Sequence, residues 1–132
     1  RRTAARYGKG IEVVAVPGMG FVELVESDRE STPEAEACVR RAVAPMLRAG
    51  ADQIVLGCTH YPFLLPLIER VVAGHDVSII DPSPAVARRV VQLLDRFDLR
   101  AEPGRRTDLS FLTFADEAYR LRLEQKAMAS LG

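Results

Sequence analysis

The sequence predicts an α/β fold: a small parallel sheet flanked by helices, with a terminal strand and helix detached from it. Three observations predict this. Short β-branched runs recur at residues 11–17, 53–57 and 77–80, the pattern of strands buried on both faces. Stretches with apolar residues at helical spacing separate them. Strands alternating with helices of that length make βαβ units, whose strands run parallel with helices on both faces.

The elements follow in order. IEVVAVP, residues 11–17, reads as a buried strand ended by Pro17 and Gly18. GFVELVE, residues 20–26, carries Phe21, Val22, Leu24 and Val25, enough for a short helical turn. In STP, residues 31–33, Thr32 can cap a helix and Pro33 suits its first position. Ala35, Cys38, Val39, Ala42, Val43, Met46 and Leu47 then form one apolar stripe, ended by Gly50. Pro45 lies inside that stripe and predicts a kink or a shortened last turn.

QIVLG, residues 53–57, is a second buried strand, and a helix is expected over residues 62–73. VSII, residues 77–80, is a third strand. In DPSP, residues 81–84, Ser83 is the expected cap and Pro84 the first helical residue. Val86, Val90, Leu93, Leu94 and Phe97 make that helix's buried face. Residues 98–108 are polar, hold Pro103 and Gly104, and read as a linker. LSFLTF, residues 109–114, is a plausible strand and residues 115–131 a charged amphipathic helix. The domain reading is therefore 1–97 for the sheet domain and 98–132 for linker, closing strand and helix.

With 132 residues the chain is long enough for one hydrophobic core. Eighteen basic residues balance eighteen acidic ones, and no block of like charge argues for nucleic acid or an anionic membrane as partner. No apolar run reaches the roughly 20 residues of a membrane span, and no secretory leader is read. Two cysteines without dense spacing fit free thiols in a reducing, cytosolic setting. The chain opens at Arg1 rather than at methionine and reads as a piece of a longer polypeptide.

The informative stretch is LGCTHYP, residues 56–62. In an open parallel sheet, ligands bind beyond the carboxyl ends of the strands, and Cys58 follows such an end directly. Pro62 is read as opening the next helix, which places the thiol where free N–H groups and the positive dipole end favour an anion. That setting favours thiolate over thiol. Thr59 adds a hydroxyl and an N–H suited to a carboxylate, and His60 can exchange protons near neutral pH. Cys38, on a helical stripe between Ala35 and Ala42, reads as packing. His75 reads as a solvated turn residue, and Asp81 and Ser83 as a helix cap. Tyr61 is either a pocket wall or packing. Zinc binding by Cys58 and His60 lacks third and fourth ligands. Nucleophilic catalysis with a histidine base and acid–base work on a C–H bond beside a carboxylate both stay open on position and residue type.

GADQIVLGCTHYPFLLPLIERV, residues 50–71, resembles the second cysteine motif of the glutamate racemases, within the aspartate/glutamate racemase family. GFVELVE resembles the family segment that ends in an active-site glutamate, here Glu26. IDPSPAVARRVVQLLDRF, residues 80–97, is similar to the strand and helix after that motif, and residues 109–121 more weakly to the closing strand and helix. The resemblance implies two similar α/β domains facing each other with one catalytic cysteine on each. It implies a cofactor-independent 1,1-proton transfer between L- and D-glutamate, supplying cytoplasmic D-glutamate for peptidoglycan, by an enzyme expected to be a homodimer. Carried onto this chain, Cys58 is one of the two thiols, His60 assists it, Glu26 binds substrate or tunes the site, and Thr59 binds substrate. Aspartate or hydantoin racemisation, or an inactive stand-alone binding domain, are the other readings.

The family's amino-terminal half is missing from the sequence: its glycine-rich aspartate–serine motif, its first cysteine motif and its threonine-rich segment. Residues 98–132 are expected to pack on that absent domain. The chain is thus expected to hold half an active site and not to racemise glutamate alone.

Overall fold

A computed structural model of the chain describes residue 6, residues 8–106 and residues 108–131, the side chains of 130 and 131 excepted. In order it forms α1 (Phe21–Glu26), α2 (Pro33–Arg48), β1 (Gln53–Val55), a 3-10 helix (Tyr61–Leu64), α3 (Leu65–Val72), β2 (Ser78–Ile80), α4 (Ser83–Arg96) and α5 (Glu117–Leu131). Two compact units result, Arg1–Leu93 and Leu94–Gly132.

The core lies in the first unit. Thr32 caps α2 by accepting the Ala35 N–H at 3.2 Å, and Ala35, Cys38, Val39 and Val43 bury the apolar stripe. Against it pack Phe21, Leu24 and Val25 of α1, Ile54 and Leu56 of the β1 segment, and Leu64, Leu67, Ile68, Val71 and Val72 around α3. At about 25 cal/mol per Å2 of apolar surface removed from water, this cluster is the main stabilising term. The helix α2 runs through Pro45 to Arg48, and the Ala49 N–H still reaches the Pro45 carbonyl at 3.1 Å. The last turn is therefore complete rather than shortened.

The sheet is parallel, with two strands among the described residues. Gln53, Ile54 and Val55 stand opposite Ser78, Ile79 and Ile80. The first expected strand, residues 11–17, forms no ladder, because among the described residues no strand lies against it. Helices cover one face only: Ile54 is buried while Gln53 and Val55 are exposed. The expected buried face of α4 is not buried either; Val86 is 60% and Val90 49% exposed.

In the second unit, Arg100 pairs with Asp95 and the Leu99 N–H reaches the Leu94 carbonyl at 2.9 Å. Asp116 caps α5 by accepting the Tyr119 N–H at 2.8 Å, and Arg120 bridges Glu117 at 2.6 Å and Glu124 at 2.9 Å. Residues 109–114 form no strand, with Leu112 and Phe114 fully open to solvent. A strand needs a neighbour to satisfy its backbone, and none is provided among the described residues of that unit.

Candidate functional site

The loop that follows β1 carries Cys58, Thr59 and His60. It leaves the sheet as Leu56 donates its N–H to the Ile80 carbonyl at 3.0 Å, then turns as Tyr61 donates to the Cys58 carbonyl at 3.1 Å. The turn places Cys58 half-buried at the carboxyl end of the sheet, where the parallel topology puts ligand sites.

The loop meets the end of α1 through a line of three side chains. Cys58 Sγ lies 3.8 Å from His60 Nδ1, and His60 Nε2 lies 3.4 Å from Glu26 Oε1. The histidine and the carboxylate are each about one-third to two-fifths exposed, so the line is reachable from solvent. With Nε2–H directed at the carboxylate, Nδ1 presents its lone pair to the thiol; this is the tautomer that the network favours. The arrangement can take a proton from sulfur and return it.

Three of the four sequence-predicted site residues are thereby brought together: Cys58, His60 and Glu26. Thr59 is beside them in sequence, is exposed, and has no protein partner for its hydroxyl among the described residues. The expected helix at Cys58 is corrected. The chain after the loop begins as a four-residue 3-10 helix, and the α-helix opens only at Leu65. Pro66 lacks the N–H that an α-helix starting at Pro62 would bond to the Pro62 carbonyl. The polar setting of Cys58 is thus the His60–Glu26 pair and the loop's own N–H groups, not an α-helix end.

Ser83, expected as the cap before a helix starting at Pro84, is instead the first residue of α4, and Asp81, read with it as the cap, accepts the Ser83 N–H at 2.9 Å and the Ser83 hydroxyl at 2.6 Å. The hydroxyl, then the N–H, hold the Asp81 carboxyl below the usual aspartate range.

Tyr61, read as pocket wall or packing, and Gly18, which sequence reasoning did not single out, shape the loop. The Tyr61 ring packs edge-on against Phe21, centroids 5.1 Å apart at 73°. That contact requires Gly18, because a Cβ there would stand 2.6 Å from Tyr61 Oη and 2.8 Å from Phe21 Cδ2. A proline–glycine pair ending an apolar run is a general turn signal, so nothing in the pattern distinguished Gly18. Cys38 is buried and donates its thiol to the Met19 carbonyl at 2.9 Å. His75 is exposed in the turn after α3.

Among the described residues no three His, Cys, Asp or Glu side chains are arranged to hold a metal ion, and no helix is long and apolar enough to cross a membrane.

Comparison with known proteins adds the following. Residues 1–90 match the family model described as Asp/Glu/Hydantoin racemase. The chain is 42% identical over 125 residues to a glutamate racemase of Herpetosiphon aurantiacus, covering 95% of this chain and 49% of that one. It is 47% identical over 90 residues to a glutamate racemase of a Roseiflexus species, covering 68% and 33% respectively. Its fold is similar to the Thermus thermophilus glutamate racemase crystallised with β-chloro-D-alanine, with a TM-score of 0.74, 28% identity, and coverage of 95% of this chain and 48% of that one. The Francisella tularensis glutamate racemase, crystallised with D-glutamate, has a TM-score of 0.81 at 23% identity, covers 94% and 46%, and matches in fold. The chain spans half or less of the length of these relatives.

Proposed function

The chain belongs to the Asp/Glu/Hydantoin racemase family, and on that premise we propose that it forms the Cys58-bearing half of a glutamate racemase. In this reading a cofactor-independent, cytoplasmic and homodimeric enzyme inverts the α-carbon of L- or D-glutamate and supplies D-glutamate for peptidoglycan. Glutamate is preferred over aspartate or a hydantoin because the relatives at 42% and 47% identity carry that name.

Inversion of a carbon needs a base on one face and an acid on the other. Cys58, as thiolate, removes the α-proton and becomes a thiol, while the C–H electron pair delocalises into the adjacent carboxylate. A second thiol on the opposite face then gives its proton to the same carbon and becomes the thiolate. One proton has been lost and one gained by the substrate, and the opposite enantiomer runs the sequence backwards. With each sulfur about 3–3.5 Å from the carbon, the two sulfurs stand about 7 Å apart.

The observation that carries this reading is the line from Glu26 through His60 to Cys58 at the open end of β1, 3.4 Å and 3.8 Å long in its two steps. His60 takes up the thiol proton and returns it, and Glu26 fixes the ring. Thr59 binds the substrate carboxylate through its hydroxyl and N–H, offsetting the charge that develops there. Cys38 is excluded as the second acid by its burial and its bond to the Met19 carbonyl. The second sulfur is accordingly assigned to the part of the enzyme outside residues 1–132, and residues 98–132 to packing against that part.

A chiral assay tests the proposal. The purified chain is expected to leave either enantiomer unchanged. Substituted for the matching half of the Herpetosiphon racemase, it is expected to give an enzyme that racemises glutamate, and Cys58→Ser in that chimera is expected to abolish the reaction without unfolding it. Racemisation by the chain alone, or a chimera indifferent to Cys58→Ser, overturns the reading.

A further inference from the structure

We infer that the first unit holds a vacant strand position, between residues 11–16 and β1, that accepts an extended apolar strand from the part of the enzyme outside this chain. The inference rests on family membership and on backbone geometry, and not on the activity proposed above.

Two facing backbones lack partners. In a parallel ladder the backbone groups of alternate residues point to opposite sides. The Ser78 N–H bonds the Asp52 carbonyl at 2.8 Å, and the Leu56 N–H bonds the Ile80 carbonyl at 3.0 Å. Residues 52, 54 and 56 therefore spend their backbone groups on β2. The N–H and C=O groups of Gln53, Val55 and Gly57 point the other way, and β1 has no second neighbour among the described residues. On the far side lies IEVVAV, residues 11–16, as β-branched as any strand in the chain. Beyond the bond from the Ile11 N–H to the Gly8 carbonyl at 3.2 Å, its backbone makes no hydrogen bond to another backbone group among the described residues.

Between them lies a cavity of about 1190 Å3, lined on one side by Ile11, Val13 and Val14 and on the other by Gln53, Val55 and Gly57. Strands lie about 4.8 Å apart within a sheet, layers pack about 10 Å apart, and a strand rises about 3.3 Å per residue, so one strand residue fills about 160 Å3. The cavity thus has room for about seven residues, a normal strand length. Its apolar lining is open to solvent: Ile11 is 67%, Val13 51% and Val55 61% exposed. Unpaired edges beside exposed β-branched side chains are what an inserted strand covers. The occupant is assigned to the rest of the enzyme because the chain spans half or less of its relatives. A strand there would pair both edges, join residues 11–16 to β1, and hold Gly18 and the Cys58 loop on one continuous sheet.

Amide hydrogen exchange tests the inference. In the chain alone at low concentration, the Gln53, Val55 and Gly57 amides should exchange as open groups while Ile54 and Leu56 are protected. In the chimera with the Herpetosiphon half, the amides of Gln53, Val55 and Gly57 and every second amide of residues 11–16 should slow by about a hundredfold or more. The variant Val55→Pro removes only an N–H on the vacant side. It should leave the protection of Ile54 and Leu56 in the chain alone intact, and abolish the gain in the chimera. Protection of the odd-numbered amides in the dilute chain overturns the inference, as does their continued fast exchange in a folded chimera. Protection that rises with concentration alongside a dimer would assign the position to a second copy and overturn it as well.

Discussion

Gly18 and Tyr61 share a contact with no room for a side chain: a Cβ at position 18 would lie 2.6 Å from the Tyr61 hydroxyl oxygen and 2.8 Å from its ring carbon. The ring also packs edge-on against Phe21, with centroids 5.1 Å apart, and the Tyr61 N–H closes the Cys58 turn. Gly18→Ala is therefore expected to displace the ring and cost about 1–3 kcal/mol, and to change the rate at which a thiol reagent modifies Cys58. Thermal unfolding and thiol titration of the variant check this. An unchanged melting temperature together with an unchanged rate would mean the contact yields freely.

Leu64 and Ile68 are among the most completely buried side chains, at 0% and 2% exposure. Leu64 sits in the 3-10 helix just after the candidate loop, so its packing anchors that loop to the core. Leu64→Ala is expected to cost about 3 kcal/mol or more and Ile68→Val about 1 kcal/mol. Urea titration of the chain checks both; equal midpoints for the two variants would mean that the site around Leu64 collapses to fill the larger cavity.

Much of the first unit was legible because its signals are local. The Thr32–Pro33 start, the stripe from Ala35 to Val43 and the strands at Ile54 and Ile79 depend on capping, periodicity and β-branching within a few residues. What was not legible depends on absent or distant partners. IEVVAV and LSFLTF have strand composition, but a strand exists only when another backbone pairs with it, and composition does not report whether one is present. The buried face expected for α4 failed for the same reason: Val86 and Val90 have the right spacing and nothing covering them. At the candidate site, Cys58, His60 and Glu26 were chosen from sequence, and the structure brings them together. The start of the α-helix at Leu65 was missed, because two prolines in the first turns favour a 3-10 entry that periodicity cannot distinguish.

Acid should loosen the helix ends before the core. Ser83 lowers the Asp81 pKa through its hydroxyl and N–H, while Arg100 lowers that of Asp95 and Arg120 that of Glu117 by hydrogen bonding. A carboxylate whose pKa is depressed in the folded state adds stability above its unfolded value, near pH 4. That contribution is lost as pH falls through the depressed folded value. Helical circular dichroism is expected to decline from about pH 4 downward, and Asp81→Asn to flatten the part of that decline due to the start of α4, leaving the Asp95 part at its end. Added salt should weaken the Asp95 and Glu117 contributions and spare that of Asp81, whose partner is neutral. A decline beginning well above pH 5 would point to groups other than these three.

The two cysteines should separate cleanly by reactivity. Cys38 is 6% exposed and gives its S–H to the Met19 carbonyl at 2.9 Å, so a reagent reaches it only when α1 or α2 opens. Cys58 is half-buried in a surface loop with His60 Nδ1 3.8 Å from its sulfur, a neighbour able to accept the thiol proton. In the native chain one thiol is expected to react at least about a hundredfold faster than the other, and both to react alike in denaturant. Cys58→Ser should remove the fast phase and leave the slow one. His60→Ala should slow the fast phase with no effect on the slow phase, which distinguishes a proton acceptor from simple exposure. If both thiols react together in the native chain, or if the fast phase survives Cys58→Ser, the loop does not present Cys58 as described.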